Sequence, residues 1–100
     1  MKITFDAEVS AAYIQLVPQI TQVDDSWPLD GFVPGTNDVI VDLDPERKVL
    51  GIEILGKHGD SPEAILAAIA DESVYKALAA EGFNCPELRG NPDITIQRIN

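Results

Sequence analysis

"VDLDPERKVLGIEI", residues 41–54, decides how this chain folds. Asp42, Asp44, Glu46 and Glu53 occupy the first, third, fifth and twelfth places of a twelve-residue window, which is close to the spacing of a calcium loop. Such a loop needs glycine at its sixth place, where the chain turns sharply, and a helix on each side. Here Arg47 stands at that place, and the flanks alternate as strands do. Val39, Val41 and Leu43 alternate with Ile40, Asp42 and Asp44; Leu50, Ile52 and Ile54 alternate with Val49, Gly51 and Glu53. The stretch therefore reads as a β-hairpin, with strands over 38–44 and 49–55. "DPER" suits a type I turn, Asp first and then Pro, whose ring presets its backbone angle. Pairing the two apolar sets on one face puts Pro45 to Lys48 in the loop and Asp42 opposite Gly51, and a slip of one residue would turn every side chain to the wrong face. Asp42 and Glu53 then pass as diagonal neighbours about 7–8 Å apart, too far for both to hold one ion unaided. Asp42, Asp44 and Glu53 are left as weak metal candidates.

Working outward, "KITF" (2–5) and "AYIQLV" (12–17) each read as a strand with one buried face, joined through "DAEVS", where Asp6 can bond its own backbone. "QITQV" (19–23) reads as a weaker third strand. Residues 24–37, "DDSWPLDGFVPGTN", fit no period and read as a long loop. Its apolar side chains, Trp27, Leu29 and Phe32, either fold back to cap the sheet or form a partner-binding tip. Beyond the hairpin, Ser61-Pro62-Glu63 is a good helix start, a hydroxyl N-cap followed by Pro and an acid near the positive end of the dipole. A single straight helix to residue 81 would carry Val74 and Leu78 away from the face of Ile65, at about 100° per residue. A break near "DES" (71–73) avoids this, with Asp71 or Ser73 capping a second helix. "LAAEGF" matches a Schellman stop with Gly82 left-handed and Phe83 folded onto Leu78. "ITIQRI" (94–99) reads as a last strand.

The two best-patterned stretches, "MKITFDAEVSAAYIQLV" and "VIVDLDPERKVLGIEIL", together resemble the bacterial family known as domain of unknown function 2283. Asp6, Glu8, Tyr13, Ile14, Asp42, Asp44, Gly51, Ile52, Glu53 and Ile54 carry the resemblance. It covers residues 1 to about 56, with the 24–37 loop as an insertion, and leaves 57–100 as a helical extension and last strand. Ser10 stands where the family often has Asp, and Arg47 where it often has Gly. Keeping the family turn with Arg at a left-handed position would cost about 1–2 kcal/mol. The resemblance implies a small β-meander sheet and brings no activity with it.

One hundred residues with a 45% apolar share make a single folded domain, 1–100, with one modest core. The formal net charge of -10 argues against nucleic acid and against anionic lipid, and suits a basic protein partner. The start shows no apolar signal segment and no run is long enough to span a bilayer, so the expected location is cytoplasmic. Cys85 and His58 are the only residues of their kinds. They are too few for structural zinc, and nothing in the sequence pairs them as nucleophile and base. His58 reads as a solvated linker residue. There is no phosphate-binding glycine loop, since "GTND" has neither the spacing nor a following helix, and no cofactor is expected. Tyr13, Gln15 and Val17 share a face, as do Ile40, Val49 and Leu55. If helices cover only the opposite face, these are half-exposed positions covered by the loop or last strand, or else a homodimer or partner surface.

The expected architecture is α+β: a small antiparallel β-meander sheet of hairpins, one or two C-terminal helices packed on its Val39/Val41/Leu43 and Leu50/Ile52/Ile54 face, and a final strand. The expected function is a non-catalytic protein-interaction module, of which an antitoxin or immunity-type protein is one version. Trp27, Leu29, Phe32 and Tyr13 are its candidate partner-binding residues. The alternative is an enzyme or divalent-metal-dependent domain using the acidic face around Asp42 and Glu53.

Overall fold

Alternation of apolar and polar residues shapes the sheet in the computed structural model, which describes residues 1–20, 22–29, 36–56, 62–90 and 93–99. The strands are β1 (Lys2–Asp6), β2 (Ala11–Gln15), β3 (Asp25–Pro28), β4 (Thr36–Leu43), β5 (Val49–Gly56) and β6 (Thr95–Arg98). The helices are α1 (Pro62–Ala70) and α2 (Ser73–Ala80), followed by a 3₁₀ turn at Pro86–Leu88. The sheet order is β3-β4-β5-β2-β1-β6. Ile3, Phe5, Ala12, Ile14, Val39, Val41, Leu43, Ile52 and Ile54 bury one face of it. Ile69, Val74, Leu78, Phe83, Cys85 and Leu88 close over that face to complete one cluster.

The hairpin of β4 and β5 has Asp42 opposite Gly51 and Val41 opposite Ile52. The Arg47 N–H donates to the Asp44 carbonyl at 2.9 Å, closing the turn, and Arg47 adopts a left-handed φ of 65°. This is a type I turn followed by a left-handed residue, a standard hairpin closure that favours glycine at the position Arg47 fills. The Asp44 carboxylate secures it by accepting from the Glu46 and Lys48 amides at 2.9 and 2.8 Å. A register shift after Asp42 sets Leu43 against Val49, and Val49 packs on the core cluster instead of facing away from it. The extra residue of a bulge produces this departure from strict alternation.

Two features of the sheet correct the sequence reading. First, the sheet is mixed and not wholly antiparallel, because β6 pairs parallel to β1, Ile3 opposite Ile96. The cause is topological. β1 and β5 both run antiparallel to β2, so they point the same way. A helical crossover from β5 returns the last strand in the direction of β5, and therefore parallel to β1. Second, the order is not that of a simple meander. After β2 the chain crosses to the far edge, starts again at β3, and returns through β4 and β5 to β2. The crossing is pinned by Leu16 N–H on the Leu50 carbonyl (3.0 Å) and Asp24 N–H on the Leu43 carbonyl (2.8 Å). The described residues of 19–23 form no strand, and the third strand lies at Asp25–Pro28, inside the expected loop. All four residues of β3 are exposed, so pairing with the edge of β4 and the contact of the Trp27 ring with Phe83 hold the strand, and not a buried face.

The helical segment divides where the face changes. Asp71 accepts the Ser73 amide at 2.9 Å, Glu72 turns left-handed (φ 64°), and α2 then presents Val74 and Leu78 to the core. Phe83 N–H bonds the Leu78 carbonyl and Gly82 N–H the Ala79 carbonyl, with Gly82 at φ 89°, which is the Schellman pattern. Ser61, expected as the N-cap of α1, lies outside the described residues.

Candidate functional site

Every buried helical residue among the described ones joins the cluster on one face of the sheet, so the opposite face is the chemically open one. Tyr13, Asp42, Gly51 and Glu53 stand on it. Asp42 and Gln15 flank Gly51 on neighbouring strands, and Glu53 lies opposite Tyr13. From β2 the Tyr13 ring reaches across Gly51, and its hydroxyl donates to Asp42 Oδ2 on β4 at 2.8 Å. A Cβ at Gly51 would fall on Oη, Cζ and Cε1 of that ring. The glycine is therefore required by a side chain and not by its own backbone angles. Ser26 on β3 donates to Asp42 Oδ1 at 2.7 Å, so one carboxylate joins three strands. Burial, the Asp42 hydrogen bond and the charges of Asp42 and Glu53 all hold the Tyr13 hydroxyl above its ordinary pKa, burial being the largest cause.

Beside this brace lies a groove of about 320 Å³, lined by Thr4, Asp6, Ala11, Tyr13, Glu53 and Leu55 and walled by Val9 and Ile99. Val9 is 63% and Ile99 53% exposed.

The sequence-derived residues divide as follows. Tyr13 is on the open face and half-buried. Trp27 is on the other side of the sheet, opposite Val41, and its ring meets Phe83 edge-on at 6.4 Å between centroids. Its indole N–H donates to Glu81 Oε1 at 3.4 Å, and Arg47 lies 5.9 Å above the ring. Leu29 packs against the core cluster. Trp27 thus folds back beside the end of α2 and Leu29 onto the core cluster, while Phe32 and His58 lie outside the described residues. Asp42 spends both oxygens on Tyr13 and Ser26, and Asp44 serves the turn. Among the described residues no three His, Cys, Asp or Glu side chains gather as a metal site would require. Cys85 is buried, and burial, with a smaller part from Glu87, pushes its thiol up to about 11. A thiol so placed is a core group and a poor nucleophile. Ser26 and Val9 were missed by sequence reasoning. Ser26 lay in an unperiodic loop, and Val9 carried no signal apart from being apolar within a turn. No described helix is long and apolar enough to cross a membrane.

These features define a class: a small α+β domain with a one-sided core, an open sheet face, and a Tyr–Asp–Ser brace across a glycine. A family model described as protein of unknown function, DUF2283, matches residues 2–56. That is more than half of the chain, and the chain belongs to this family. The matched segment contains β1 to β5, and so every residue of the brace. No curated protein and no solved structure matches the chain.

Proposed function

We propose that the chain is a non-catalytic protein-interaction module that binds a basic protein partner through the open face of its sheet. The observation that carries this reading is the groove beside Tyr13, apolar at its walls and bordered by the carboxyl groups of Asp6 and Glu53. Apolar side chains gathered in a recess and rimmed by polar groups suit a protein contact. The formal net charge of -10 supports the choice of partner, because it accelerates encounter with a positive surface and repels an acidic one. Three of the groups that chemistry could use are committed to architecture: Asp42 to the brace, Asp44 to the turn, Cys85 to the core. This weighs against the alternative of an enzyme or metal-dependent domain centred on Asp42 and Glu53. Masking of a basic toxin by an antitoxin or immunity protein is one form the module could take.

The test is capture from a lysate of the source cell with tagged protein at low and high salt, beside a Val9→Arg variant that places a cation on the groove wall. The expected result is a stoichiometric basic protein, retained at low salt, lost at high salt, and absent with the variant. A lane without a basic protein at low salt would defeat the reading.

A further inference from the structure

The groove has the dimensions of a side-chain receptor. Its volume of about 320 Å³ is at the bottom of the range for small-molecule sites, which run to roughly 1,000 Å³. It suits one or two inserted side chains better than a cofactor. Val9, Leu55 and Ile99 wall one end of it over Ala11, and Asp6 stands opposite Ala11 at that end with its carboxylate accepting the Glu8 amide.

The other end of the same surface is negative. Glu53 stands directly across from Tyr13, and among the described residues no lysine or arginine pairs with it. The Tyr13 ring rests one face over Gly51 and is fixed there by its hydrogen bond to Asp42. Donation to a carboxylate enriches the ring's electrons, and a cation over its free face would meet both the ring and Glu53. Burial first, then the Asp42 hydrogen bond, raise the Tyr13 hydroxyl, and the charges of Asp42 and Glu53 add to them in the same direction.

The two ends are spaced by the sheet itself. Ala11 faces Leu55, and two residues along the same strands Tyr13 faces Glu53. Side chains i and i+2 of an extended segment point the same way, about 6.5–7 Å apart. A strand-like segment laid along β2 therefore presents one side chain to each end.

We propose that this groove receives an extended basic segment of the partner protein, with an apolar side chain between Val9, Leu55 and Ile99 and, two residues along, a lysine or arginine over Tyr13 beside Glu53. The inference rests on the interaction-module reading and specifies its contact. A second copy of this chain is a poor occupant, since each copy carries the same -10.

The experiment is methyl and amide NMR of the full chain, titrated with the peptide acetyl-Gly-Leu-Ser-Lys-Gly-amide. Two control peptides replace its lysine by glutamate or its leucine by serine. The expected result is saturable shifts at Val9, Leu55, Ile99 and Tyr13 with the first peptide alone. Glu53→Gln should weaken that binding about fivefold, the size of an exposed ion pair, with the melting temperature unchanged. Val9→Ser, at an exposed site, should weaken it as well. Equal titration by the lysine and glutamate peptides, shifts confined to the Trp27 edge, or no shifts at all would overturn the inference. A basic protein whose capture survives both Val9→Ser and Glu53→Gln would remove the groove while leaving the module. Groove binding by the peptide without any captured protein would do the reverse.

Discussion

Gly51→Ala is a one-carbon change whose cost comes entirely from Tyr13. The new Cβ would occupy the place of the Tyr13 hydroxyl and the ring carbon that bears it, so the ring has to move. Forcing an extra carbon into a packed contact costs about 1–3 kcal/mol. Displacing the ring also breaks its hydrogen bond to the Asp42 carboxylate, of a kind worth about 1.5–3 kcal/mol. These two costs are alternatives in part, since a ring that swings away escapes the clash. The expected loss is about 2–4 kcal/mol, and for a 100-residue domain each kilocalorie lowers Tm by about 4–8 °C. The measurement is a double-mutant cycle by urea denaturation, with Tyr13→Ala as the second change. Once the ring is gone, alanine at position 51 should be neutral or stabilising by about 0.5–1 kcal/mol, because glycine weakens a strand. The coupling, the difference between the two backgrounds, should therefore amount to about 2–5 kcal/mol, at or above the upper end for a single pair. Equal destabilisation by Gly51→Ala in both backgrounds would refute the reasoning, since the cost would then not come from Tyr13.

Arg47→Gly should stabilise the chain by about 0.5–1 kcal/mol in urea denaturation. Relief of the left-handed strain, about 1–2 kcal/mol, exceeds the exposed contacts Arg47 makes with Asp25 and Trp27. Trp27→Ala should lower Tm, because it removes an edge-on contact with Phe83 of about 0.5–1.5 kcal/mol along with buried ring area; an unchanged melt would show the indole to be free of the fold. Stability should also fall in alkaline solution. The Tyr13 hydroxyl has a folded pKa above its ordinary 10.0, so its contribution is complete below that pH and is lost as pH rises from there through the folded value. Tyr13→Phe should flatten that part of a stability-against-pH curve, and an unaltered slope would count against the assignment.

Strands with a buried face were legible in the sequence; of the two without one, β6 was legible from its alternation and β3 was not. β4 and β5 could be placed, down to Asp42 opposite Gly51, because a buried face punishes any slip of register. β3 was invisible for the converse reason: none of its four residues is buried, and what fixes it is the free edge of β4 and the contact of the Trp27 ring with Phe83. The break between α1 and α2 could be read because Val74 and Leu78 had to reach the core. The direction of β6 followed from the crossover but could not be drawn until its partner strand was known. The brace had a mixed fate. Tyr13, Asp42 and Gly51 were each conspicuous, yet the reason for the glycine appears only when β2, β5 and β4 lie side by side. Ser26 shared the obscurity of its strand.

The parallel pairing of β6 with β1 joins Lys2 to Thr95, almost the full length of the chain. Most other pairings of the sheet are between neighbours in sequence, in the β1–β2 and β3–β4–β5 units. Closing the longest loop has the greatest entropic cost and is rewarded only when both units and the helical cover are in place. β6 is therefore expected to dock on the far side of the rate-limiting barrier. Substitutions confined to Thr95–Arg98 should speed unfolding in stopped-flow experiments and leave the refolding rate nearly unchanged. How long the native state persists is then governed at the last strand to arrive, while the speed of folding is governed elsewhere.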